Sequence, residues 1–83
     1  MNDAAYITVT IFADYWAKSL MNENKEAIRL TLESGSNISD AAAALGIPSD
    51  EIGLTAINGK AAPPETELFG GDQLRIFPVI VGG

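Results

Sequence analysis

The chain has 83 residues, enough for one small domain that buries about 60% of the surface its unfolded chain exposes. Its net charge of −6 would repel a phosphate backbone, so nucleic acid is not an expected partner. Histidine and cysteine are absent, which removes the usual imidazole base, thiolate nucleophile and soft metal ligands, and no metal site is predicted.

Hydrophobic residues make up 47% of the chain, yet no apolar run approaches the roughly 20 residues that span a bilayer. A membrane protein is therefore not expected. The first five residues lack the basic start and apolar region of a secretory signal. We accordingly expect the chain to act in the cytoplasm.

The first predicted strand is Tyr6–Phe12, where Ile7, Val9 and Ile11 alternate with polar and aromatic residues. A period of two is typical of a strand with one face in the core. A second alternating stretch over residues 28–32 predicts a strand that pairs antiparallel with the first.

Between these two strands, residues 13–25 break the alternation. Trp16 and Leu20 stand at an i, i+4 spacing, which predicts one or two helical turns that pack an aromatic ring against the body. We interpret Trp16 as a core or loop anchor rather than a ligand-binding residue.

A helix is predicted over Ile38–Leu45. Asn37 is suited to cap its first turn, and Asp40 stands three residues later in the position of a capping box. Gly46 has the position of a helix-ending glycine, and Pro48 prevents the helix from continuing. The helix should therefore be short.

The second half of the chain begins with a polar connection over residues 49–53 and a strand at Leu54–Ile57. Asn58-Gly59 is a strong signal of a two-residue hairpin turn. Residues 60–62 form the predicted return strand, which Pro63-Pro64 ends.

The last predicted strand has Leu74 and Ile76 pointing inward and Arg75 and Phe77 pointing outward. We expect Pro78 to end regular pairing because it has no N–H to donate.

The predicted order is a hairpin, a crossover helix and further strands, which indicates an α+β fold with the helix across one sheet face. The first and last strands are the most apolar and should lie in the middle of the sheet. We predict one domain over residues 1–83 with a flexible C-terminal tail at 79–83.

The tail ends in Gly82-Gly83. Two residues without side chains would let a terminal carboxylate pass along a cleft whose walls exclude any Cβ. The five residues after Pro78 would reach about 17 Å when extended. Residues 79–81 would either add as a strand to a partner's sheet edge or simply lengthen the last strand, and the sequence leaves both interpretations open.

Four stretches carry a resemblance to a known family: Ile11-Phe12-Ala13 with the segment to Leu20, Asn37–Asp40 with Leu45-Gly46-Ile47, Ala56–Lys60, and Glu67-Leu68 with Gly71-Asp72 and Phe77–Gly83. In this order the chain resembles the ubiquitin-like β-grasp sulfur carriers of the MoaD/ThiS type, above all the small subunit of molybdopterin synthase. It differs from that branch in having Val79 where a second proline is common.

This resemblance implies a β-grasp fold with a mixed sheet of four to five strands and one helix on one face. It also implies that the Gly83 carboxylate is adenylated by a ubiquitin-activating-like adenylyltransferase of the MoeB/ThiF type and converted to a thiocarboxylate that donates sulfur. The carrier itself would bind no cofactor, and the activating enzyme would use ATP.

The favoured role is that of a non-catalytic subunit that works with the molybdopterin synthase large subunit in molybdenum cofactor biosynthesis. The alternatives are a carrier that serves thiazole synthase in thiamine biosynthesis or another sulfur-transfer pathway, a ubiquitin-like protein modifier, and a non-catalytic interaction module.

The candidate site consists of the reactive terminus, Gly82 and Gly83, and of expected partner-binding residues: Phe12, Phe77, Pro78, Val79, Ile80 and Val81. Phe12 and Phe77 share the sheet face opposite the helix and would form an apolar docking patch for the activating enzyme. The other interpretation is that they pack against the 13–25 segment. We interpret the acidic residues of 50–51 and 65–67, and Lys60, as solvated surface charge.

Overall fold

The structure is a computed structural model that describes residues 5–13 and 27–79. Strands β1, Tyr6–Phe12, and β2, Ile28–Glu33, pair antiparallel as the sequence predicts. Val9 lies opposite Leu30 and Ile11 opposite Ile28, so the apolar residues of both strands share one face. The predicted helical turns around Trp16 and Leu20 fall outside the described residues.

Helix α1, Ile38–Ala44, confirms the predicted helix and its capping box. The Asn37 side chain accepts a hydrogen bond from the Asp40 N–H at 2.8 Å, and the Asp40 carboxylate accepts one from the Asn37 N–H at 2.9 Å. Leu45 is the C-cap, and Gly46 follows with a φ of +78°, a conformation that favours glycine. The residues of the chain thus define both ends of the helix.

A short 3-10 helix, Ser49–Glu51, leads into strand β3, Ile52–Ile57, and the two-residue strand β4, Lys60–Ala61. Strand β3 begins two residues before the predicted start at Leu54. Asn58 and Gly59 join the two strands with φ values of +51° and +87°, which confirms the predicted hairpin turn.

Strand β5, Gln73–Pro78, completes a five-stranded sheet in the order β2-β1-β5-β3-β4. β5 runs parallel to β1 and antiparallel to β3, so the sheet is mixed. The first and last strands are neighbours near its middle, as their apolar composition predicts.

The core lies between α1 and the inward face of the sheet. The helix contributes Ile38, Ala41 and Ala42, and its alanines allow a close approach to the strands. The remaining buried apolar residues of the described chain are Val9, Ile11, Ala13, Ile47, Leu68, Leu74 and Ile76. The opposite face of the sheet carries no helix within residues 5–13 and 27–79. In those same ranges no helix has the length and apolar character required to cross a bilayer.

Candidate functional site

The candidate site is built on the last strand and the residues that follow it. In β5, Leu74 and Ile76 are buried while Arg75 and Phe77 are exposed, which confirms their predicted directions. Because β5 has a paired strand on both sides, its path is held by the whole sheet. The chain therefore enters the tail from a firmly paired strand.

Pro78 is the last residue of β5, which confirms the prediction that it ends regular pairing, and one further backbone bond follows it. Pro78 is still part of β5 and lies opposite Ile52, and the Val79 N–H donates to the Glu51 carbonyl at 2.9 Å. A register shift between Ile52 and Leu54 marks a β-bulge on the partner strand. Regular pairing thus ends at Pro78, and the Val79 bond holds the residue that follows it against Glu51.

Gly53, the residue at the bulge, is pressed against the start of the tail. A Cβ at Gly53 would lie 2.5 Å from the Pro78 carbonyl oxygen and 3.0 Å from the Val79 Cα. Both neighbours are backbone atoms, which cannot move away as the end of a flexible side chain can. The absence of a side chain at Gly53 is therefore what lets β3 approach Pro78 so closely.

The sheet face opposite α1 carries an apolar patch beside this exit. Phe77 is 42% exposed and lies opposite Leu54, which is 51% exposed. Phe12 lies on the same face, as predicted, and pairs with Arg75 across the β1–β5 boundary. The Arg75 guanidinium carbon lies 4.4 Å from the centre of the Phe12 ring. We call these four residues the open-face patch.

Leu54 is a residue of this patch that was not predicted, since its place in the sequence predicts only the start of a strand. The signal was present in the alternation of Leu54 and Ala56 with the inward-facing Thr55 and Ile57. Val79, at the start of the tail, is also 47% exposed. The patch and the tail thus adjoin.

The described part of the predicted tail 79–83 is Val79 alone. Ile80, Val81, Gly82 and Gly83 lie outside the described residues, as does most of the 13–25 segment proposed as a cover for Phe12 and Phe77. Within residues 5–13 and 27–79 no group of three or more acidic side chains is placed to hold a metal ion. What the described residues offer is a strand-paired, partly apolar platform for the chain that follows Val79.

The mixed sheet in this strand order, with α1 as the one α-helix of the described residues across a single face, defines a ubiquitin-like β-grasp protein. A family model described as Mut7-C ubiquitin matches residues 4–81. The chain therefore belongs to the Mut7-C ubiquitin family. No curated protein matched its sequence.

Solved structures share the fold. The HVO 2177 protein of Haloferax volcanii superposes with a TM-score of 0.76 at 16% identity, covering 100% of this chain and 92% of its own. The Haloferax volcanii protein SAMP1 gives a TM-score of 0.67 at 21% identity, covering 92% of this chain and 99% of that one. A putative molybdopterin converting factor, subunit 1, from Pyrococcus furiosus gives 0.69 at 16% identity, with coverages of 89% and 99%.

Proposed function

We propose that this chain is a cytoplasmic sulfur carrier whose reactive group is the carboxylate of Gly83. The observation that carries the proposal is the course of β5, a central strand of a ubiquitin-like fold that leads through the anchored Val79 to Gly82-Gly83. The four residues beyond Val79 span about 14 Å when extended, enough to reach into a neighbouring active site. Sulfur transfer by this route requires Gly83 to be the terminus of the mature protein.

The chemistry follows from the low reactivity of a carboxylate, which is ionised at neutral pH and a poor electrophile. A Gly83 oxygen attacks the α-phosphorus of ATP in an adenylyltransferase, which gives an acyl adenylate and releases pyrophosphate. Hydrosulfide then displaces AMP and leaves a thiocarboxylate. If an enzyme persulfide attacks instead, the product is an acyl disulfide, and a second thiol must reduce it to release the thiocarboxylate.

The open-face patch is the proposed docking site for the activating enzyme. Apolar anchors beside the start of the tail would hold the carrier while its terminus enters the active site. Within the patch Phe77 is the strongest candidate, because it is exposed and stands two residues before Val79. Phe12 and Arg75 would extend the contact across the sheet.

The deciding experiment is the intact mass of the protein isolated from its native cells. A species ending at Gly83 with one oxygen replaced by sulfur is the expected result. In a reconstituted reaction with a ubiquitin-activating-type adenylyltransferase and ATP, deletion of Gly83 should abolish adenylation without changing the melting temperature. A native chain that extends past Gly83 without trimming, or full adenylation of the shortened chain, would contradict the proposal.

Docking through the patch has its own matched pair of variants. Phe77→Ser should raise the carrier concentration at which the adenylation rate is half-maximal. Phe69→Ser removes an exposed phenyl ring outside the strands and should change that concentration little. Equal effects of the two variants would show that the open face is not the docking site.

Two cellular roles follow from the same activated terminus. We favour a small-subunit role with a molybdopterin synthase large subunit, supported by the likeness to the putative molybdopterin converting factor subunit. Service to a thiazole synthase is the alternative within sulfur transfer. Reconstitution with each acceptor and a thiocarboxylated chain distinguishes them, because only the true acceptor should return the carrier as a plain carboxylate.

A protein-modifier role is the second candidate, supported by the family's description as a ubiquitin and by the likeness to a small archaeal modifier protein. In that role a lysine amine attacks the activated Gly83 carbonyl and forms an isopeptide bond. Branched peptides carrying the Gly82-Gly83 remnant in digests of cell extract would support it. Their absence, together with the sulfur-containing mass, would leave sulfur transfer as the function.

A further inference from the structure

The outer side of β3 is covered along only part of its length. β3 has six residues, but β4 pairs with only Ala56 and Ile57. In the part of the chain that the structure describes, no other strand runs beside Ile52–Leu54 on that side. An uncovered strand edge offers backbone donors and acceptors to an incoming strand.

The edge is uncovered because the chain after β4 turns away from β3. The Ala62 N–H donates to the Thr55 carbonyl at 2.9 Å, the last backbone contact between the two segments. Pro63-Pro64 then leads to the helix, where the Pro64 carbonyl accepts from the Ser39 N–H at 2.9 Å. β3 and the segment 62–64 therefore diverge and leave a wedge-shaped space between them.

This wedge contains a cavity of about 340 Å³, which we call the edge groove. Its floor is the uncovered part of β3, with apolar surface from Leu54 and Pro63 and hydroxyl groups from Ser39 and Ser49. The volume falls within the range of about 300–1,000 Å³ typical of ligand-binding clefts. Gly53 is the extra residue of the β-bulge, and such residues are left out of the ladder with the neighbouring strand.

The charged residues next to the edge groove indicate which kind of strand would bind there. Four carboxylates are adjacent in sequence to residues that line it: Asp40, Asp50, Glu51 and Glu65. Lys60 is the single basic residue in such a position. An incoming segment that carries positive charge is therefore favoured over a neutral or acidic one.

We propose that the edge groove binds an extended segment of a partner protein that has apolar residues at alternate positions and Lys or Arg at its ends. The segment adds to β3 as a sixth strand of the sheet, with its backbone bonded to the uncovered edge. One set of its side chains enters the cavity, and its basic ends face the surrounding carboxylates. This inference is independent of the chemistry at Gly83.

The position of the added strand would give a partner access to the tail. A strand added to β3 would lie two strand spacings, about 10 Å, from β5. The segment 51–53 contacts Pro78 and Val79 on its other side. A partner bound in the edge groove would thus lie next to the residues from which the tail starts.

The test is a titration of the isotopically labelled full chain with an acetylated and amidated peptide, KVTVTVK, followed by NMR. We expect the amide signals of residues 52–55 to shift. The acidic peptide EVTVTVE should bind about tenfold more weakly, because two attractive ends become repulsive. Comparable affinity for both peptides, or no shift of these amides with either, would overturn the proposal.

Two lysine variants provide the matched comparison. Ser49→Lys places a positive side chain at the exposed rim of the groove and should weaken binding of KVTVTVK about tenfold. Ser34→Lys adds the same charge at an exposed turn away from the groove and should bind unchanged. Equal effects of the two variants would also refute the site. Concentration-dependent shifts of residues 52–55 without peptide would instead identify a second copy of the chain as the occupant.

Discussion

Arg75 and Phe12 are cross-strand partners in the parallel pair at the centre of the sheet, with the guanidinium carbon 4.4 Å from the ring centre. A cation over an aromatic face at an exposed site contributes about 0.5–1 kcal/mol. The contact joins the first strand to the last on the face that carries no helix among the described residues. The contact therefore links β1 to β5 within the open-face patch, the proposed docking site.

We predict that Arg75→Gln lowers the free energy of unfolding by about 0.5–1 kcal/mol in urea denaturation. Arg29→Gln, which removes an exposed arginine from β2, should cost less. A double-mutant cycle with Phe12→Leu should recover a coupling of similar size. If Arg75 and Phe12 act additively, the contact makes no contribution to stability.

The helix cap gives a second prediction. Asn37→Ala removes the acceptor for the Asp40 N–H and should cost about 1 kcal/mol in unfolding free energy. Asn37→Ser keeps an oxygen acceptor at the same position and should recover most of that loss. Similar melting temperatures for the two variants would mean that the side-chain cap is not what stabilises this seven-residue helix.

The close approach at Gly53 gives a third prediction. Gly53→Ala places a methyl group against the Pro78 carbonyl and should cost about 2 kcal/mol, as for other overpacked sites. The amide of Val79 should also exchange faster with solvent, because its bond to Glu51 depends on the same approach.

Gly70→Ala is the matched control. A Cβ at Gly70 would lie 4.0 Å from the Ile7 side chain, an ordinary contact distance. Its cost should be well below that of Gly53→Ala. Equal costs would indicate that glycine is required at position 53 for some reason other than the contact with Pro78.

The hairpin turn supplies a fourth prediction, because Asn58 has two separable roles. Its side chain accepts from the Gln73 N–H at 2.9 Å and donates to the Asp72 carboxylate at 3.0 Å, and its φ is +51°. Asn58→Gly removes the bonds but tolerates the φ, for a cost of about 1 kcal/mol. Asn58→Ala should cost about 1 kcal/mol more because of the left-handed backbone. Calorimetric melting that ranks alanine equal to glycine would exclude the backbone contribution.

The parts of the fold that the sequence predicts well are those whose signals are local. The alternation in Tyr6–Phe12, the capping box at Asn37 and the turn at Asn58-Gly59 each depend on residues close together in the chain. The placement of β1 and β5 inside the sheet also follows, because the most apolar strands lose most by facing water. These elements were predicted almost to the residue.

The parts that could not be predicted depend on contacts between distant segments. The early start of β3 at Ile52 and the Val79 bond to Glu51 both accompany the bulge at Gly53, which exists only once the two strands meet. The edge groove likewise depends on the hydrogen bond from the Ser39 N–H to the Pro64 carbonyl, which holds Pro63-Pro64 near the helix. Local sequence patterns carry no information about such long-range contacts.

The parallel pairing of β1 with β5 also has a consequence for synthesis. Thr10 pairs with Gln73, so the sheet cannot close until the final strand has left the ribosome. Until then, the nascent chain holds the β1–β2 hairpin with one edge unpaired and its core-facing side chains in water. The sheet of this domain therefore closes only after β5 has been synthesised, and chaperones have access to β1 until then.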